Sequence, residues 1–145
     1  YGEAAFYVRP EPFDAFPNHT GGDVVVLPPK SRFEYLEDFY TTAFHEISHH
    51  AEVRLGWDHR IQGYELGELV AEISSCYVAG ELGIPTGDVE QHGAYLRHWL
   101  SNMRNDPGYI FRACSQASKV TDFLLSKMNA RGSAEPQPEQ VSAEV

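Results

Sequence analysis

The hydrophobic pattern of the chain begins with two short stretches that favour strands. Residues 4–9 and 23–27 are rich in aromatic and β-branched side chains, which pack well on a pleated surface. A loop containing three prolines and Gly21-Gly22 separates them, and Pro28-Pro29 ends the second stretch. The pattern predicts two strands that pair in a small antiparallel sheet.

From about residue 35 onward, apolar residues recur every three or four positions, which is the period of an amphipathic helix. The first predicted helix runs from about 35 to 55 and ends before Gly56. Its apolar positions are Phe39, Ala43, Ile47 and Ala51. The second covers roughly 64–82 and stops at Gly83-Ile84-Pro85. Its apolar stripe consists of Leu66, Val70, Ile73 and Tyr77.

Two more helices are predicted in the second half of the chain. Asp88 with Gln91 can cap a third helix, because this spacing satisfies free backbone amides at a helix start. Its stripe consists of His92, Tyr95, Leu96, Trp99 and Met103. Asp106-Pro107 supplies an N-cap and a first-turn proline for a fourth helix through Met128. From Arg131 to Val145 the composition offers almost nothing to bury, which predicts a disordered tail.

Length and composition place these elements in one domain. The 145 residues are 42% hydrophobic and 22% charged, as is ordinary for a globular protein. A chain of this size can bury one core without disulfides. We therefore expect an α+β domain over residues 1–130, with a small antiparallel sheet and about four helices, followed by the tail at 131–145.

The charge and the cysteines exclude several classes of function. The formal net charge is −10 and the eleven basic residues are scattered, so we expect no direct binding to nucleic acid, which needs clustered Lys and Arg. No apolar run approaches the length of a membrane span, so we expect no membrane association. Cys76 and Cys114 fall on apolar helical positions, which predicts buried free thiols and a cytoplasmic protein.

The first predicted helix contains the motif His45-Glu46-Ile47-Ser48-His49. Histidines at i and i+4 lie one above the other on a helix face, so two imidazoles can converge on one Zn²⁺. Glu46 lies about 100° around the helix from His45, where its carboxylate can reach a water beside the ion without being a ligand. His50 lies about 100° from His49, so we do not expect it to bind the metal. The motif predicts a zinc site with Glu46 as general base.

A catalytic zinc usually has three protein ligands, so one more is needed. The second helix offers Glu68 and Glu72, which share a face with the small residues Ser75 and Ala79. Small residues on this face would let another helix approach closely. Either glutamate can supply the third ligand, and the spacing leaves the choice open.

The third predicted helix carries two further candidates. His92 and Tyr95 share one face, where either could donate a hydrogen bond to a developing oxyanion. The same two residues also fit a packing stripe with Leu96 and Trp99. Both interpretations are compatible with the pattern.

The order of these motifs resembles a known family. An HExxH helix followed by a helix with Glu-x-x-Ala-Glu is similar to the gluzincin branch of the zincin metallopeptidases. Over about residues 2–126 the chain resembles the zincin-like domain of ArdC-type antirestriction proteins. Besides the two helices, the similar segments are residues 4–7, 27–29, 81–84 and 92–100.

The resemblance implies a zincin-like fold and a zinc-dependent peptidase that cleaves a peptide or protein substrate, with host defence proteins as targets in an antirestriction role. In gluzincins the glutamate that opens Glu-x-x-Ala is the ligand, which implies Glu68. Glu72 would then accept the remaining ring N–H of His45 or His49. The alternative is a metal-stabilised module that binds a host protein and blocks it sterically, without catalysis.

Overall fold

Two short strands form the sheet that the sequence predicts. The computed structural model describes residues 5–8, 24–57, 62–85 and 106–132. Strand β1 (Phe6–Val8) pairs antiparallel with β2 (Val24–Val26), with Phe6 opposite Val26 and Val8 opposite Val24. Both strands contact the first helix, so the sheet lies beside the helix that carries HExxH.

Three helices account for most of the described residues: α1 (Leu36–Arg54), α2 (Tyr64–Glu81) and α3 (Gly108–Gly132). Gly56 follows α1 with a φ of 72°, a left-handed conformation in which glycine has no Cβ penalty, so the chain can turn away there. At the start of α3, the Asp106 carboxylate accepts a hydrogen bond from the backbone N–H of Gly108 at 3.0 Å. None of the helices in the described ranges has the length and apolar character needed to cross a membrane.

The predicted helices at about 35–55 and 64–82 are confirmed to within one residue. The helix predicted after Asp106-Pro107 also forms, and it continues to Gly132, past the predicted domain boundary at residue 130. The predicted third helix at 88–103 and the rest of the predicted tail lie outside the described residues. The described part of the chain is therefore mostly helical, with α2 between α1 and α3.

The core lies where α2 packs against both of its neighbours. Ala51 contributes from α1, and small or branched apolar side chains contribute from the other two helices. The members from α2 and α3 are Leu69, Val70, Val78, Ala113, Ala117, Val120 and Leu124. Because α2 is covered on two sides, its buried surface is wider than one amphipathic stripe.

Two sequence predictions about burial need correction. In α2, Leu69 and Val78 join Val70 in the core, whereas the predicted stripe residue Tyr77 is 40% exposed. Packing against both α1 and α3 determines this pattern, and a helical period cannot reveal it. Both cysteines are free, as predicted, but Cys76 and Cys114 are only half-buried.

Candidate metal centre

Helix α1 presents two histidine rings on one face. Its period places His45 and His49 one turn apart, with ring centroids separated by 4.9 Å and ring planes at 83° to each other. The Nε2 atoms of the two rings lie 3.3 Å apart. His49 is only 6% exposed, so this end of the pair is held inside the protein. Both imidazoles therefore direct the same nitrogen to one point.

Helix α2 brings a carboxylate to that point. Glu68 places Oε2 at 3.4 Å from Nε2 of His45 and Oε1 at 3.5 Å from Nε2 of His49. Ser75 and Ala79, which share this face of α2, are buried, as expected for a face that another helix approaches closely. One ligand atom from each of His45, His49 and Glu68 falls within 4.8 Å of the others.

The spacing of these atoms fits a tetrahedral ion. Zinc binds imidazole nitrogen at about 2.0–2.1 Å, so two tetrahedral ligand atoms should be roughly 3.3–3.4 Å apart. The two Nε2 atoms are 3.3 Å apart, and each lies near one oxygen of the Glu68 carboxylate: Oε2 is 3.4 Å from His45, and Oε1 is 3.5 Å from His49. Two imidazoles and one carboxylate are also the donor set of many catalytic zinc sites, which leave a fourth position for water. The residues present therefore fit the ion that the sequence predicts.

Two further carboxylates lie behind the histidine rings. Oε2 of Glu72 lies 3.3 Å from Nδ1 of His45. Oε2 of Glu52 lies 3.3 Å from Nδ1 of His49. Each ring can thus donate an Nδ1–H to its own carboxylate, so that Nε2 is the nitrogen with a free electron pair when the ring is neutral.

Electrostatic interactions within the cluster favour the protonated form of His45 and the ionised form of Glu68. Burial lowers the pKa of His45, but hydrogen bonds and negative charge from Glu68 and Glu72 outweigh burial and raise that pKa to about 10. Burial raises the pKa of Glu68, yet the hydrogen bond with His45 and the nearby His49 lower it overall. In the absence of an ion, His45 therefore holds a proton that a metal must displace.

Among the described residues, the other predicted site residues do not belong to the group of three side chains that could hold an ion. Glu46 is half-buried and follows His45 directly in α1. His50 is half-buried on the same helix and does not belong to the group of three that could hold an ion. His92 and Tyr95 lie outside the described residues.

Sequence reasoning missed two residues at this centre. Glu52 follows His49 by three positions in α1, a spacing that puts two side chains on one helix face and that could have revealed it. Tyr64 begins α2 one turn before Glu68, and its phenol donates a hydrogen bond to the Glu68 carboxylate. No sequence pattern predicts that a tyrosine at the start of a helix will contact a metal ligand, so only the structure reveals the contact between Tyr64 and Glu68.

Comparison with known proteins identifies similar chains of very different length. The model of the zincin-like metallopeptidase family, MPTase-PolyVal, matches residues 7–116. Two proteins of Escherichia coli named DNA primase TraC are each 37% identical, over 72% and 86% of this chain. The chain spans only 10% and 8% of the lengths of these primases.

A solved structure is also similar. The metal-free crystal structure of the antirestriction protein ArdC from the R388 plasmid aligns with a TM-score of 0.57 and 32% sequence identity. The alignment covers 70% of this chain and 38% of the ArdC chain. The chain thus corresponds to a minor part of ArdC.

Proposed function

The chain belongs to the zincin-like metallopeptidase family, and on this basis we propose that it is a zinc-dependent peptidase that hydrolyses peptide bonds of a protein substrate. The observation that supports this proposal most directly is the convergence of three ligand atoms from two helices. His45 and His49 supply Nε2 atoms 3.3 Å apart, and Glu68 faces both of them. A helix packed only for stability has no need of this arrangement.

In the proposed mechanism His45, His49 and Glu68 hold the ion. Zinc held by these residues would lower the pKa of a water molecule to near neutrality. Glu46, next to His45 and outside the ligand set, accepts the proton of the attacking water and returns it to the departing amine. Glu72 keeps the proton of His45 on Nδ1, so that Nε2 stays available to the metal. His92 and Tyr95 remain proposed donors to the oxyanion of the substrate.

Removal of the metal tests this proposal. The purified protein should contain zinc at one ion per chain and should cleave an unstructured protein substrate. Dialysis against a chelator should abolish cleavage, because the remaining groups cannot acidify water at neutral pH. Addition of zinc should restore cleavage, whereas an inhibitor of serine peptidases should have no effect. Undiminished cleavage by metal-stripped protein would contradict the proposal.

The affinity for zinc should also depend on pH. Because the pKa of His45 is raised to about 10 in the metal-free cluster, the ring carries a proton throughout the neutral range and zinc must displace it. Affinity should therefore rise with pH between about 6.5 and 8.5, by roughly tenfold per pH unit for one displaced proton. Competition with a chelator of known proton affinity measures this slope. A flat profile would mean that His45 is already neutral.

For the substrate we propose a protein of host defence. The support is the similarity to ArdC, which is named an antirestriction protein. A restriction enzyme, incubated with the chain and followed for fragments, is the first substrate to test. The rival function is a metal-stabilised module that blocks such an enzyme by binding, and the net charge of −10 would suit a surface that imitates DNA.

Two other expectations stay predictions. The same net charge argues against direct binding of nucleic acid by this segment, since phosphate contacts need clustered cations. The free cysteines are compatible with the predicted reducing cytoplasm.

A further inference from the structure

We infer that Glu52 is a positioning residue of the metal centre, which holds His49 from behind and contributes to the affinity for the ion. The inference rests on the proposed metal site, though it does not depend on whether the site cleaves peptides. It concerns a buried acidic group to which the proposed mechanism gives no other role. No substrate or ion contact is assigned to Glu52 itself.

The geometry places Glu52 against one ring only. Its side chain is fully buried, and Oε2 lies 3.3 Å from Nδ1 of His49, whose side chain is 8% exposed. The backbone carbonyl of Glu52 also accepts hydrogen bonds from the amides of Leu55 and Trp57, at 3.1 and 2.9 Å. These bonds fix the last turn of α1 and with it the position from which the carboxylate reaches His49.

A buried carboxylate at this position destabilises the folded protein unless a positive charge compensates it. Removal of such a group from water is unfavourable. Glu52 also lies in the last turn of α1, which ends at Arg54, where the negative end of the helix dipole disfavours an anion. Packing alone would be served as well by a neutral side chain of the same shape. A divalent cation bound to Nε2 of His49 would supply such a charge.

The contact determines which nitrogen of His49 binds the ion. When Nδ1–H donates to Glu52, Nε2 is the unprotonated atom, and Nε2 is the atom that faces His45 and Glu68. Glu72 makes the equivalent contact with Nδ1 of His45 from the neighbouring helix. The two rings are therefore oriented by two different carboxylates, one local and one from across the α1–α2 interface.

The experiment compares zinc affinity in matched variants. Glu52→Gln keeps the size of the side chain but replaces the anionic acceptor, and Glu37→Gln makes the same change on α1 away from the centre. Competitive chelator titration should show zinc binding about 10–100-fold weaker for Glu52→Gln, the usual effect of losing such a partner. The Glu37 variant should match the wild type. Glu72→Gln should resemble Glu52→Gln.

A second measurement separates positioning from stability. For each variant, the melting temperature is recorded with and without zinc, and the zinc-induced rise is compared, so that a change in the metal-free fold cancels. A positioning role predicts a smaller rise for Glu52→Gln, because stabilisation by a ligand decreases as its Kd increases. Should Glu52→Gln fail to fold, Glu52→Asp keeps the charge but withdraws it by one methylene, and its affinity should fall as well.

The outcomes are distinguishable from failure of the proposed function. If the wild type binds no zinc, the metal centre itself is wrong. If the wild type binds zinc and the folded Glu52 variants bind it equally well, Glu52 is structural only and this inference is overturned, while the centre remains. A variant that is less stable without metal but unchanged in Kd likewise overturns the positioning role.

Discussion

Replacement of Glu46 by glutamine should abolish peptide cleavage and leave zinc bound. The carboxylate and the amide are nearly isosteric, so the half-buried side chain keeps its place in α1. A neutral amide cannot accept a proton from the attacking water, since it has no useful basicity. General-base catalysis is worth about 10²–10⁴-fold, and the cleavage rate should fall by that factor. Cleavage of an unstructured protein, followed by fragment analysis, measures the loss.

The matched control is Glu37→Gln on the same helix, which should cleave at the wild-type rate. Zinc content of the Glu46 variant should equal that of the wild type, which separates lost chemistry from lost metal. Comparison of Glu46→Gln with the wild type also distinguishes a peptidase from a binding module. If Glu46→Gln protects a restriction target as well as the wild type does, the effect does not need catalysis and the binding module is favoured.

Loss of either histidine of the motif should remove stoichiometric zinc. His45 and His49 each supply an Nε2 to the cluster, so alanine at either position leaves only two of three proposed protein ligands. The affinity should drop by more than the roughly 100-fold upper end seen when only a supporting partner is lost. Elemental analysis after dialysis measures bound zinc. His50→Ala is the matched control, and it should retain the metal.

The same assay tests the assignment of the two glutamates. Glu68 faces both Nε2 atoms, whereas Glu72 contacts Nδ1 of His45. Glu68→Gln should therefore weaken zinc binding more than Glu72→Gln does. Circular dichroism of the metal-free variants checks that each one is folded. The reverse order of affinities, or full zinc in His45→Ala, would require a different set of ligands.

Much of this centre follows from local geometry that the sequence already contains. Residues four apart on a helix share a face, so the spacing of His45 and His49 alone predicts that their rings meet. The strands and the bounds of α1 and α2 follow from the same kind of pattern, because period, prolines and glycines act over a few residues. These predictions needed no knowledge of which elements touch.

Burial was less predictable, because it depends on neighbours in space. The stripe proposed for α2 missed Leu69 and included the exposed Tyr77, since α2 packs on two sides. Glu52 was overlooked although it is only three residues from His49. A glutamate at that spacing normally faces water, and only the packing of α1 encloses it.

The groups of the centre are already present in the sequence: the histidine pair, the proposed general base beside it, and the two glutamates that could complete the site. Which glutamate lies at the proposed ion position and which lies behind a histidine ring depends on the packing of the helices. Glu68 and Glu72 lie one turn apart on the same face of α2, so no helical pattern can distinguish them. The distance and angle at which α2 crosses α1 place Glu68 at the two Nε2 atoms and Glu72 behind the ring of His45.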